Sequence, residues 1–179
     1  MKSILSAHEP GAGLTPEQSR QIARVIAERF NFHEMARLSL GPHWQQRSSQ
    51  ERNEFVDLFG GLVARSQLLG MTTDADVPQR FVGERIEEER AVVHAQVNAG
   101  DGDISIDYFL LRRGGVWKIC DLRIDGVRLS NIYRTQFNKV IARSSYDEVV
   151  RQIRHKQEEL AFEDGIHFTR SSAQQAPYE

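Results

Sequence analysis

The stretch from Ile104 to Ile141 leaves the rest of the chain few options. Ile104, Ile106, Tyr108 and Leu110 alternate with Ser105, Asp107, Phe109 and Leu111, the two-residue period of a strand. Gly114-Gly115 supplies the positive φ angles of a tight hairpin. Trp117, Ile119 and Asp121 then fall on one face of a second strand, with Lys118, Cys120 and Leu122 on the other. Gly126 breaks that strand. From there Leu129, Ile132, Tyr133, Phe137, Val140 and Ile141 recur at helical spacing. A hairpin feeding such a helix makes a curved sheet closed on one side, and curved sheets enclose pockets. On period alone, an ordinary α+β core is the favoured reading.

The elements upstream follow from caps and breakers. Thr15-Pro16-Glu17-Gln18 is a helix start, with Ile22, Ile26 and Phe30 on the buried face. Asn31 with Glu34 opens a short helix that Gly41-Pro42 ends. Ser48 with Glu51 opens a longer one through Phe55, Leu58, Phe59, Leu62 and Val63. Gly60-Gly61 lies inside it, at about 1 kcal/mol per glycine relative to alanine. The helix kinks there, or something packs against the bare backbone.

Two strands follow, near Gln79–Glu87 and Arg90–Asn98, the second with Val93 and Val97 opposite Val92 and His94. A last helix starts at Ser145 and runs through Val149, Val150, Ile153 and Leu160, and fraying is expected from Gly165. Helices, about four sequential strands, then helices make an antiparallel sheet of the α+β class. One domain over 1–165 is expected, helical over about 15–70, with sheet and closing helices over about 79–160 and a polar tail at 166–179.

Function is narrowed mostly by exclusion. The formal net charge of −2, from 23 basic and 25 acidic residues, argues against nucleic acid as the main partner. The single Cys120 forms no internal disulfide. Six scattered histidines show no metal-ligand spacing, and no phosphate-cradling loop or nucleophile elbow is present, so no metal or cofactor is expected. Asp107 and Asp121, each inside an apolar strand, are the best acid/base candidates for a small enzyme. The competing reading is that they face solvent or pair with an arginine such as Arg112, Arg123 or Arg134. Apolar bulk on unlike elements suits a tight core or a lipid-lined cavity. The expected wall is Phe55, Phe59, Tyr108, Trp117, Val127, Tyr133 and Phe137.

Three segments carry a resemblance. Phe32-His33-Glu34-Met35-Ala36-Arg37-Leu38-Ser39-Leu40-Gly41-Pro42-His43-Trp44 resembles the F-x-x-M-A-R-x-x-L-G-x-x-W signature of the MlaC/toluene-tolerance family. Trp117-Lys118-Ile119-Cys120-Asp121-Leu122 with Asp125-Gly126-Val127 resembles its W-K-x-x-D segment and D/E-G-V turn. Asn131, Tyr133, Arg134, Gln136 and Phe137 are similar to its N-x-Y-R-x-Q-F helix. The three stand in family order and span about Gln21 to Lys156.

The resemblance implies a nuclear-transport-factor-like cone whose pocket takes lipid tails. It also implies a periplasmic carrier of phospholipid, with an inner-membrane ABC transporter complex and an outer-membrane lipoprotein complex as partners. A related branch, HpnM, implies hopanoid cargo instead. Two departures stand out. Arg128 occupies a position the family usually gives to serine, and with Arg134 and Lys139 it is expected to make an outward basic patch that docks on partners. Met1-Lys2-Ser3-Ile4-Leu5 begins like a signal peptide, but His8-Glu9-Pro10-Gly11 cuts the apolar run short. The expectation is that Met1 is an internal methionine and that the true start lies upstream.

Overall fold

A computed structural model describes residues 24–73, 79–98 and 102–173, with side chains at 24–66, 79–98 and 102–160. The start at Thr15-Pro16 lies outside the described residues. Residues 24–29 are helical and lead into Phe30, which bridges to Ile119. Then come α1 (Phe32–Leu40), a 3-10 helix (Gly41–Gln46) and α2 (Ser49–Thr73). The strands are β1 (Gln79–Glu87), β2 (Arg90–Asn98), β3 (Asp103–Arg113), β4 (Val116–Ile124) and the two-residue β5 (Val127–Arg128). Finally α3 (Leu129–Arg143) and α4 (Tyr146–Ala173) return to the helical side. The backbone of α4 thus stays helical beyond Gly165.

The caps form as the side-chain chemistry dictates. Asn31 Oδ1 accepts from the Glu34 amide at 3.0 Å. Ser48 and Glu51 form a reciprocal box, each accepting from the other's backbone N–H at 2.7 and 3.2 Å. Ser145 Oγ accepts from the Glu148 amide. Gly41 ends α1 at φ 54°, a left-handed angle suited to glycine. Gly60-Gly61 serves close packing: a Cβ on Gly60 would meet the Phe32 ring at 3.0 Å, and on Gly61 it would collide with Gln157 of α4. Gln157 Nε2 donates to the Leu58 carbonyl at 2.7 Å, pinning α4 to α2.

The strands form a curved antiparallel meander in sequence order, β1-β2-β3-β4-β5. Asp125-Gly126, both at positive φ, turn β4 tightly into β5. Two irregularities break the alternation, one between Phe81 and Gly83 in β1 and one where β4 passes Phe109 and Leu110. The second changes the expected faces of β4. Phe109 pairs with Asp121 and Leu110 with Ile119, so Cys120 is the extra residue. Ile119 and Leu122 therefore share one face, and Asp121 turns to the other.

The main core lies among the helices. Phe55, Phe59, Met35, Leu40, Val63 and Val149 are almost wholly buried. Phe55 stacks on Phe59 at 5.7 Å and meets Phe137 edge-on at 5.6 Å, while Tyr133 meets Phe59 edge-on at 4.9 Å.

Candidate functional site: an apolar cavity on one face of the sheet

Between the sheet and the helical segment 24–29 lies a cavity of about 370 Å³. Its sheet side is built from Val93 of β2, Ile106, Tyr108 and Leu110 of β3, and Ile119, Leu122 and Ile124 of β4. Phe81 and Gln79 of β1 bound one side, and Val25, Ile26, Arg29 and Phe30 cover it. Strand alternation explains the composition: one face of a half-buried antiparallel pair collects the apolar positions. Phe81, 65% exposed, and Ile124, 40% exposed, mark the open rim. Among the described residues, only Arg29, Gln79 and Tyr108 bring polar side chains to the wall. Gln79 Nε2 donates to the Tyr108 hydroxyl at 2.5 Å, and burial pushes the Tyr108 phenol above its ordinary pKa.

The opposite face of the sheet carries a polar row beside Val92 and Phe109. Gly83, His94, Asp107, Arg123 and Arg128 are successive register partners across all five strands. Asp107 shares 2.6 Å hydrogen bonds with His94 Nδ1 and Arg123 Nε. Burial alone would raise the Asp107 carboxyl; the bonds to His94 and Arg123 outweigh it and hold the group below the usual range. A lowered folded pKa stabilises the fold above the unfolded carboxylate's value, near 3.9, and that contribution is lost as pH falls through the folded value. Asp107→Asn should therefore cost about 1–2 kcal/mol at pH 7, because half-exposed partners recover water. In urea melts the gap from the unaltered protein should begin to narrow below about pH 4 and close as the pH falls through the folded value. A gap that persists at low pH would assign the loss to packing.

Asp121 is 1% exposed and accepts from the Leu122 amide at 2.9 Å, the Ser130 amide at 3.1 Å and Ser130 Oγ at 2.7 Å. It caps α3 from the neighbouring strand. The sequence points to Ser130 or Asp125 for that cap. Instead Ser130 donates, and Asp125 Oδ1 accepts from the Ser105 amide. Both carboxylates proposed as bases are thus engaged by fixed donors on the face away from the cavity.

Of the seven expected wall residues, Tyr108 lines this cavity. Phe55, Phe59 and Phe137 sit in the helical core. Tyr133 and Phe137 border a different space of about 490 Å³ among α2, α3 and α4. Trp117 carries the Arg112 guanidinium over its ring at 5.3 Å, and Val127 is half exposed in β5. The helix stripe closes on other helices because Asp121 anchors α3 at β4 and turns its aromatics toward α2. The wall that sequence reasoning passed over is aliphatic: Val93, Ile106, Leu110, Ile119 and Leu122. Its signal was the shared strand phase of Val93 and Ile106–Leu110.

Arg128 lies 3.9 Å above the Phe109 ring and 3.5 Å from Asp121, and its side chain is 41% exposed. Arg134 donates to Asn131 Oδ1 at 2.7 Å, and its stem borders Gly41. Burial raises the Cys120 thiol to about 11, so it stays protonated.

Such a site can hold an apolar chain by excluding water from it. No helix among the described residues is long and apolar enough to cross a membrane. No curated protein matches the chain. Among solved structures, it is similar to a phospholipid-binding protein from Ralstonia solanacearum in complex with a phospholipid. The two are 21% identical, with a TM-score of 0.72 over 90% of this chain and 88% of that one. That likeness is one of α+β fold. The profile described as MlaC protein matches residues 1–155, which takes in α1, the sheet and α3, and the chain therefore belongs to the MlaC protein family.

Proposed function

We propose that the protein is a lipid carrier that moves phospholipid through the periplasm between an outer-membrane lipoprotein complex and an inner-membrane ABC transporter complex. The observation that carries this is the cavity of about 370 Å³, with ten apolar residues among the thirteen described residues that line it. An apolar cavity of about 150 Å³ takes a benzene ring, so by proportion this one takes roughly 15 carbons, one acyl chain. Burial at about 0.8 kcal/mol per methylene then holds such a chain by about 12 kcal/mol before the costs of association. The family and the phospholipid seen in the Ralstonia protein support the same cargo. Tyr108 is the expected wall residue that would touch the chain. Arg128 and Arg134 keep the proposed docking role, Arg128 as the half-exposed charge on the far side of the sheet.

Organic extraction of the purified protein followed by mass spectrometry tests this. Phospholipid in stoichiometric amount is the expected result. A hopanoid in its place would move the protein to the related branch. An empty cavity in protein purified under mild conditions would overturn the carrier reading.

A further inference from the structure

Helical segment 24–29 carries two arginines in different situations. Arg24 is 82% exposed, does not line the cavity, and pairs with Glu28 one turn on. Arg29 stands on the stripe of Val25, Ile26 and Phe30, which faces the cavity. Apolar residues fill the rest of that stripe. No carboxylate among the described residues pairs with Arg29, and none lines the cavity. The other two polar side chains of the wall also offer donors. Tyr108 accepts from Gln79, which leaves its own O–H to donate, and burial keeps that phenol protonated. Gln79 keeps a second amide hydrogen. The cavity thus combines a chain-sized apolar floor with guanidinium, phenol and amide donors. An unpaired guanidinium fork selects planar or tetrahedral oxyanions.

We propose that Arg29, supported by Tyr108 and Gln79, makes this cavity selective for amphiphiles with an anionic head, a phosphate diester or a carboxylate, placed at the mouth while the chain lies on the sheet. This rests on the carrier reading and adds to it a discrimination that apolar contact cannot provide. Arg29 is exposed, so its contribution is modest and falls with salt.

The test uses the full chain, stripped of lipid, and three probes with one common palmitoyl chain: lysophosphatidylglycerol, palmitate and neutral monopalmitoylglycerol. The two anionic probes should bind roughly fivefold tighter than the neutral one at low salt, the ratio shrinking at high salt. Arg29→Gln should bring all three to parity by weakening only the anionic pair, and Arg24→Gln should change nothing. Preference for lysophosphatidylglycerol alone would assign the site to phosphate, and for palmitate alone to carboxylate; either supports the proposal. Equal affinities in the unaltered protein would overturn the proposal and leave the carrier reading standing. An equal loss for the neutral probe in Arg29→Gln would also overturn it, by showing that the side chain only packs. Binding of none of the three would remove the carrier reading and the proposal together.

Discussion

Asp121→Ala should lower the unfolding free energy by about 3 kcal/mol, measured as a shifted urea midpoint at unchanged slope. The carboxylate is buried where β4 meets the start of α3, and three donors converge on it. Alanine leaves the Ser130 amide and hydroxyl, themselves 3% exposed, with no acceptor. An unsatisfied buried donor costs about 1–3 kcal/mol, and a lost helix cap alone about 1 kcal/mol. Arg128 also loses its carboxylate, but at 41% exposure it regains water. Asp121→Asn should cost much less, because one amide oxygen still serves both backbone donors. Equal losses for the two variants would mean that charge, rather than the acceptor, holds the junction. A loss under 1 kcal/mol for alanine would show that α3 is held by its aromatic contacts.

Val93→Trp should reduce co-purifying lipid more than tenfold while leaving the protein folded. Val93 lies on the cavity floor in β2. An indole there enters space that is already present, so overpacking strain stays small. It displaces several methylenes of any chain. Losing three of them costs about 2.4 kcal/mol, more than tenfold in affinity. Phe59→Leu is the converse: it should cost about 1–2 kcal/mol of stability and leave the lipid in place, because Phe59 touches the helical core and not the sheet cavity. Lipid retained by Val93→Trp, or lost from Phe59→Leu, would move the chain to the space among the helices.

These variants trace how far the sequence could be read. Caps, breakers and strand period have local causes, and so the cap at Asn31, the box at Ser48, the hairpin at Gly114-Gly115 and the order of elements were legible. The fifth strand was signalled by Asp125-Gly126, a strong two-residue hairpin pair, and was passed over because only two residues follow it before α3. The phase of β4 was not legible. An extra residue at Cys120 leaves no mark in the sequence, yet it sends Asp121 to the polar face and Leu122 to the cavity. Six of the seven expected wall residues lie away from the sheet cavity for another reason. Reading by bulk favours aromatics, which are the groups most stabilised by mutual packing, and here they lock helix to helix. The cavity keeps the smaller branched aliphatics of strands, whose short side chains leave room on the sheet face.

The open flank of the sheet has a consequence for how the protein keeps to itself. Among the described strands β1 is the outermost, exposed along its whole length, with Phe81 and Ile86 more than half accessible. A straight strand edge beside an apolar trough is a template onto which another chain can add by main-chain pairing. Two features spoil that template. The irregularity between Phe81 and Gly83 takes one residue out of the ladder and twists the strand. Arg80, Glu84, Arg85 and Glu87 place charges of both signs along the strand. The trough therefore stays open to a small amphiphile, while the edge beside it gives a second copy no flat row to extend.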